Sequence, residues 1–442
     1  MMRSSLESTK RFNELLEEST NRMSSLYLSG SFRDIYPATM FSSSYFNRFI
    51  NNLIVNDLKK IMKKSGYTLD EMFSKHDSDE NTHEYMEQMK EVYETNKSLN
   101  HKLAKIALNI QRKKYPGLNN PKPALEFKDT IAGYSKEYLR DMEEYQRKYG
   151  GQFFSPSAIS RAGSNTMAMR LFAYGNNLPS PPKKAMYAIS LLHPLTDDYM
   201  DKSIIDKQVI TGISQKLAHI DVPTSNPYEG LIYDLIDDLF EDYPPGDYPV
   251  LSHILENLHN EQIRSLKQKD MKIDLEDIVD ISLRKGGLST LAAGHIALGG
   301  LTERQFKFFY EIGGLFQLID DFSDTAEDIG DGVNTIWTSD ILRGKKCDKS
   351  LYQTLGLHKD ILERTKKEYA LDFARPNFAV NLYEHGFKML ALRGFYVNEN
   401  YFEKSAQKLV KKTLPLNYNK VRSLMLYLHP RINGVLTESS LD

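Results

Sequence analysis

The chain has 442 residues, with 57 Lys+Arg against 59 Asp+Glu, a formal charge of −2, 40% hydrophobic and 26% charged residues. This balance describes a globular protein with no global attraction to nucleic acid or to an anionic membrane. A single cysteine, Cys347, excludes an intramolecular disulfide and points to a reducing, cytoplasmic setting. The first ten residues lack the apolar core of a signal peptide.

In chain order, apolar residues recur at three- and four-residue steps and predict helices. The first clear stripe is Phe46, Phe49, Ile50, Leu53, Ile54, Leu58, Ile61 and Met62, with Gly66 as its expected C-cap. A very polar stretch, 76–84, reads as a loop, and similar stripes run through 85–108, 278–298, 306–319 and 387–397. Pro, Gly and Asn clusters at 115–123, 179–184, 222–227, 243–249 and 343–350 separate them. The longest weakly polar run, 286–301, is interrupted by Ser289, Thr290 and His295 and is too short to span a bilayer. The expected fold class is all-α, one large body of many helices. Residues 1–130 are expected as an N-terminal helical extension packed on a catalytic domain at 131–442.

Two acidic segments stand out. In the first, Ile189, His193, Asp197 and Asp201 follow at four-residue steps, and Asp198 sits beside Asp197. In the second, Phe309, Ile312, Phe316, Asp320, Asp324 and Asp328 share one helical face, with Asp321 adjacent. Both times an apolar, inward-facing stripe runs into carboxylates. Buried carboxylates need cations or water, and hard divalent cations take oxygen ligands. A third acidic run, Asp234, Asp237, Asp238, Glu241 and Asp242, leads into a Pro-rich turn and reads as solvated surface.

Opposed carboxylates around Mg²⁺ suit the binding and departure of a diphosphate. Basic groups to complete such a cradle are Arg284 and Lys285, ahead of a Gly286-Gly287 pair expected to break the helix and expose amides. Arg343, Lys345 and Lys346 are expected on a closing loop. The organic fragment would be an allylic carbocation, which needs a dry, aromatic-lined pocket. Candidate rings are Phe153, Phe154, Phe172, Tyr187, Phe309, Phe316 and Trp337.

These motifs resemble those of the class I isoprenoid synthase superfamily. Leu191-Leu-His-Pro-Leu-Thr-Asp-Asp-Tyr-Met-Asp201 is similar to its first aspartate-rich motif. Phe316-Gln-Leu-Ile-Asp-Asp-Phe-Ser-Asp324 is similar to the second, with Gln317 preceding the acids. Lys285 with Ser289-Thr290 is similar to the Lys-Thr element of trans-prenyltransferases. The most similar subgroup is the large terpene synthases resembling tetraprenyl-β-curcumene synthase, through Asp320, Asp324 and Glu327-Asp328-Ile-Gly-Asp-Gly-Val-Asn334. The resemblance covers residues 150–345. It implies an isoprenoid-synthase-type helical bundle around a central cavity, and a terpene synthase that ionises a linear prenyl diphosphate into a terpene, typically cyclic. It implies three Mg²⁺ ions, replaceable by Mn²⁺, held by Asp197, Asp198, Asp201, Asp320, Asp321, Asp324 and Asp328. Asp197, Asp198, Asp201, Asp320 and Asp324 would be the catalytic acids. Arg284, Lys285, Gln317, Arg343 and Lys345 would bind diphosphate. Homodimers are frequent in that superfamily.

The alternative within the same fold is a prenyltransferase or squalene/phytoene-synthase-like enzyme joining prenyl diphosphates. The chain lacks the Arg pair after the first motif and the upstream Gly-Lys-x-x-Arg element that hold a second diphosphate. It carries Lys202-Ser-Ile-Ile-Asp-Lys207 instead. Asp77-Ser-Asp-Glu80 approaches a proton-initiating Asp-x-Asp-Asp motif but lies in the polar loop. A remote alternative is a di-iron carboxylate bundle, with Glu256-x-x-His259 and Glu80-x-x-His83 as its two motifs. Pro194, so close to the first acids, is expected to start or kink the helix there.

Overall fold

The computed structural model describes residues 9–29, 122–150, 153–154, 156–200, 207–270 and 272–413. The expected stripes at 46–62 and 85–108, the polar loop with Asp77, Asp79, Glu80 and His83, and Asp201 lie outside the described residues, as does the Asp198 side chain. Among the described residues the chain is helical throughout its regular structure, with no strand, and no helix is long and apolar enough to cross a membrane.

The helices are α1 (Thr9–Leu28), α2 (Lys122–Tyr149), α3 (Pro156–Gly175), α4 (Lys183–Met200), α5 (Lys207–Leu217), α6 (Pro227–Asp242) and α7 (Pro249–Ser265). They continue with α8 (Leu275–Leu298), α9 (Glu303–Ser323), α10 (Thr325–Asp331), α11 (Ile336–Leu342), α12 (Asp348–Lys367), α13 (Pro376–Asn398) and α14 (Lys404–Thr413). The described residues fall into two compact units, a larger one of 9–29 and 168–413 and a smaller one drawn from 122–167. The expected junction at residue 130 lies inside α2. In the smaller unit the Tyr138 hydroxyl donates to the Ile159 carbonyl at 2.6 Å, and its ring lies over Gly163.

In the larger unit α8 and α9 form the most extensive helix pair. Local signals fix both. Asp274 caps α8 by accepting from the Asp277 N–H at 2.8 Å, and Gly299 ends it in the left-handed region at φ 70°. Thr302 and Gln305 cap α9 reciprocally: the Gln305 N–H donates to Thr302 Oγ1 and the Thr302 N–H to Gln305 Oε1. α8 runs unbroken through Gly286 and Gly287, which corrects the expected break. The glycines serve close approach instead. A Cβ on Gly286 would lie 2.4 Å from the Gly313 carbonyl oxygen and 2.5 Å from Gln317 Cβ; one on Gly287 would strike the Tyr310 ring. The two backbones thus touch, which places the Ser282–Lys285 turn of α8 beside Gln317–Asp321 of α9.

Around this pair, α4 packs on α6 and α8, α7 on α8, and α13 on α9. α1, from the expected N-terminal extension, packs on α8, α9 and α12. Beneath it lies a buried network. Arg22 pairs with Glu311 at 2.6 Å, the Tyr369 hydroxyl donates to Glu311 Oε1 at 2.9 Å, and Arg364 Nε donates to that hydroxyl at 2.6 Å. Burial pushes the Glu311 carboxyl up and the Arg22 charge pulls it back.

Candidate active site

The first acidic segment ends α4. The helix continues through Pro194, which has no N–H to donate to the turn before it. Thr196 Oγ1 donates to the Leu192 carbonyl at 2.7 Å. Asp197, 13% exposed at its side chain, is held from three sides. Lys285 Nζ stands 3.0 Å from its Oδ1, Gln262 Nε2 donates to the same oxygen at 3.1 Å, and His193 Nδ1 lies 3.6 Å from Oδ2. Gln262, buried on α7, also donates to Thr196 Oγ1 at 2.9 Å.

The second segment closes α9. Asp321 Oδ1 accepts from Gln317 Nε2 at 2.8 Å, and Oδ2 accepts from Ser282 Oγ of α8 at 3.1 Å. Its carboxyl is pushed up to about 6, chiefly by desolvation and further by the charge of Asp320, against the pull of its two donors and of Lys285. Asp320 is half-buried, and its carboxylate has no hydrogen bond or ion pair among the described residues. α9 gives way to α10 at Asp324, yet the register survives. The Asp324 N–H donates to the Asp320 carbonyl at 3.1 Å and the Asp328 N–H to the Asp324 carbonyl at 2.9 Å. Asp320, Asp324 and Asp328 therefore keep the one-turn spacing read from the sequence.

Lys285 joins the two segments. Its ammonium is ion-paired to Asp197 of α4 and is close enough to Asp321 of α9 to lower that group's pKa. Lys285, only 19% exposed at the side chain, is thus ion-paired to one acidic segment from the same turn of α8 whose Ser282 holds the other.

The other expected basic groups sit elsewhere. Arg284 binds Asp280 at 3.1 Å and Glu17 of α1 at 2.8 Å, because one residue along a helix is a rotation of about 100° onto another face. Arg343 and Lys345 are exposed on the turn after α11, where the Lys345 N–H donates to the Asp340 carbonyl, and no ion pair joins either to a carboxylate among the described residues. Lys346 Nζ donates to the Asn400 carbonyl at 2.9 Å. Thr290 lies against Gly313, more than a turn from Lys285. Asn334 is buried and bound to the backbone of Gln268, where it anchors the loop after α10.

Among the candidate rings, Phe309 and Trp337 are enclosed in the core. Trp337 Nε1 donates to the Leu318 carbonyl at 2.7 Å, and the indole stacks on Phe322. Tyr187 is buried with its hydroxyl 3.3 Å from Arg170 Nη2. Phe172 packs edge-on against Phe309 and Phe308 and is half-buried, as is Phe316, one turn before Asp320. Phe154 is buried and Phe153 half-buried in the smaller unit.

No group of three or more His, Cys, Asp or Glu is gathered closely enough to hold a metal ion among the described residues. The donor chemistry nevertheless suits a hard cation. All the candidate ligands are carboxylates, and Asp320 offers one with no competing donor among the described residues. Of the alternative iron motif, Glu256 is 40% exposed beside His253, while His259 is buried against Ser214 Oγ at 3.0 Å, so the two side chains do not converge. No protein-family model, no curated protein and no solved structure matches the chain.

Proposed function

We propose that the chain is a class I terpene synthase, which uses Mg²⁺ to ionise a linear prenyl diphosphate and converts it to a terpene, typically cyclic, with release of diphosphate. The observation that carries this reading is one turn of α8, whose Lys285 pairs with Asp197 at 3.0 Å and whose Ser282 donates to Asp321 at 3.1 Å. That turn links the two acidic segments.

Asp320, Asp324 and Asp328, with Asp197, Asp198, Asp201 and Asp321, would hold the metal through carboxylate oxygens. Bound Mg²⁺ would neutralise the diphosphate and make it a better leaving group. Lys285 would take a phosphate oxygen when it leaves Asp197. Gln317 and Ser282 keep Asp321 in one orientation by occupying an oxygen each. Gln262 does the same for Asp197. Phe316, one turn below Asp320, offers an apolar ring where the organic tail would leave the charged end.

The test is incubation with prenyl diphosphates of several chain lengths, reading diphosphate and hydrocarbon together. Diphosphate release is expected with Mg²⁺, is expected to stop in EDTA and to return with excess Mg²⁺. Added isopentenyl diphosphate is expected to leave product length unchanged; a longer product would identify a prenyltransferase. No release from any chain length, or turnover that persists in EDTA, would overturn the reading.

A further inference from the structure

We infer that Lys285 is a resident counter-cation that makes metal binding at this site depend on diphosphate, an inference that rests on the functional reading above. Asp197 Oδ1 is met by two donors of different kind, the charged Lys285 at 3.0 Å and the neutral Gln262 at 3.1 Å. A divalent cation approaching Asp197 meets an ammonium already on the carboxylate oxygen it would take. Asp321 already has a donor on each oxygen, from Gln317 and Ser282, which leaves Asp320 to hold the metal with few partners until Asp197 is freed.

A diphosphate changes this balance. The lysine stem is flexible and its ammonium is a compact point charge with three donors. Phosphate oxygens within its reach give it a second anionic partner, and its departure frees Asp197 for metal. Gln262 remains, because its other hydrogen bond is to Thr196 within the same helix end. The carboxylate therefore stays aimed while its charge partner is exchanged. Metal and diphosphate then favour each other through the lysine, in addition to any direct bridge between them, and linkage makes the effect mutual.

The experiment is Mn²⁺ binding to the full chain, by calorimetry and by electron paramagnetic resonance, first with Mn²⁺ alone and then with inorganic pyrophosphate. Lys285→Met is expected to bind Mn²⁺ alone about tenfold more tightly than wild type, within the usual span of coupling between sites. Lys285→Arg keeps the charge and is expected to match wild type. Lys216→Met removes a lysine of the same charge from its 2.8 Å pair with Asp237 and is expected to leave Mn²⁺ affinity unchanged. Pyrophosphate is expected to tighten Mn²⁺ binding more in wild type than in Lys285→Met. Equal or weaker Mn²⁺ binding by Lys285→Met, or equal tightening by Lys216→Met, overturns the inference. Lys285→Gln, judged by circular dichroism, serves in its place if methionine at 285 prevents folding. Failure here leaves wild type still releasing diphosphate with Mg²⁺, whereas failure of the functional reading removes that release whatever the titration gives.

Discussion

Two acid-rich regions of this molecule use the same kind of ion pair in different surroundings. On α6, Asp237 and Glu241 are 60% and 64% exposed at the side chain and meet Lys216 and Lys184 at 2.8 Å and 2.6 Å. Between α4 and α8, Asp197 and Lys285 are 13% and 19% exposed and meet at 3.0 Å. The distances alone would rank the α6 pairs as the tighter ones. Shelter decides otherwise, because water and salt screen an exposed pair down to about 0–1 kcal/mol. A partly buried carboxylate is costly to leave without a partner. Neutral donors complete the contrast. Gln262, Gln317 and Ser282 orient the sheltered acids, while Asp237, Asp238 and Glu241 are met by lysines and Asp242 by the Ala185 N–H.

The largest expected difference between the regions is catalytic. Asp197→Ala and Asp320→Ala should each lower the rate of diphosphate release by about 10²- to 10³-fold, as removal of a charge-stabilising group commonly does. Asp237→Ala should stay within about twofold, because its pair is a screened surface contact. Equal losses at all three positions would erase the distinction between site and surface.

A smaller effect tests the backbone contact that builds the site. Gly286→Ala should destabilise the fold by about 2–3 kcal/mol in denaturant unfolding, since its Cβ would strike the Gly313 carbonyl oxygen and Gln317. Gly330→Ala, in α10 with nothing within 4 Å of the added Cβ, should instead stabilise by about 0.5–1 kcal/mol. The same sign at both positions would contradict the close approach.

The smallest effect is in pH. Asp321 is pushed up to about 6 from its ordinary 3.8, so between those values the folded protein holds a proton that the unfolded chain has released. Stability therefore falls as pH rises through that window, and the cost is full above about pH 6. In metal-free protein, Asp321→Asn should raise stability by about 1–2 kcal/mol at pH 7.5 and lose that advantage below about pH 4. A benefit that grows towards acid pH would reverse the assignment.

Much of this architecture is legible in the residues. The stripes at 278–298 and 306–319 carry their helices because apolar side chains at three- and four-residue steps leave one buried face. The Asp320, Asp324 and Asp328 register was legible for the same reason. Gly286-Gly287 misleads, since glycine weakens an isolated helix while a neighbour that must touch the backbone favours it there. Arg284 misleads because a charge beside Lys285 in sequence faces elsewhere on a helix. Ser282 carries no signal by itself; its role depends on how α8 and α9 meet. Gln262 did leave a trace: it follows Leu251, Leu255 and Leu258 on one stripe, all buried, so a polar group there had to find a partner inside.

Arg22 has a consequence for anyone wishing to trim this protein. A version begun at residue 131, to isolate the expected catalytic part, would discard α1 and with it the guanidinium beside the enclosed Glu311. The shortened chain would have to admit solvent there or keep that acid permanently neutral. Severing the first helix from its long-range partner would therefore weaken the very scaffold it was meant to simplify.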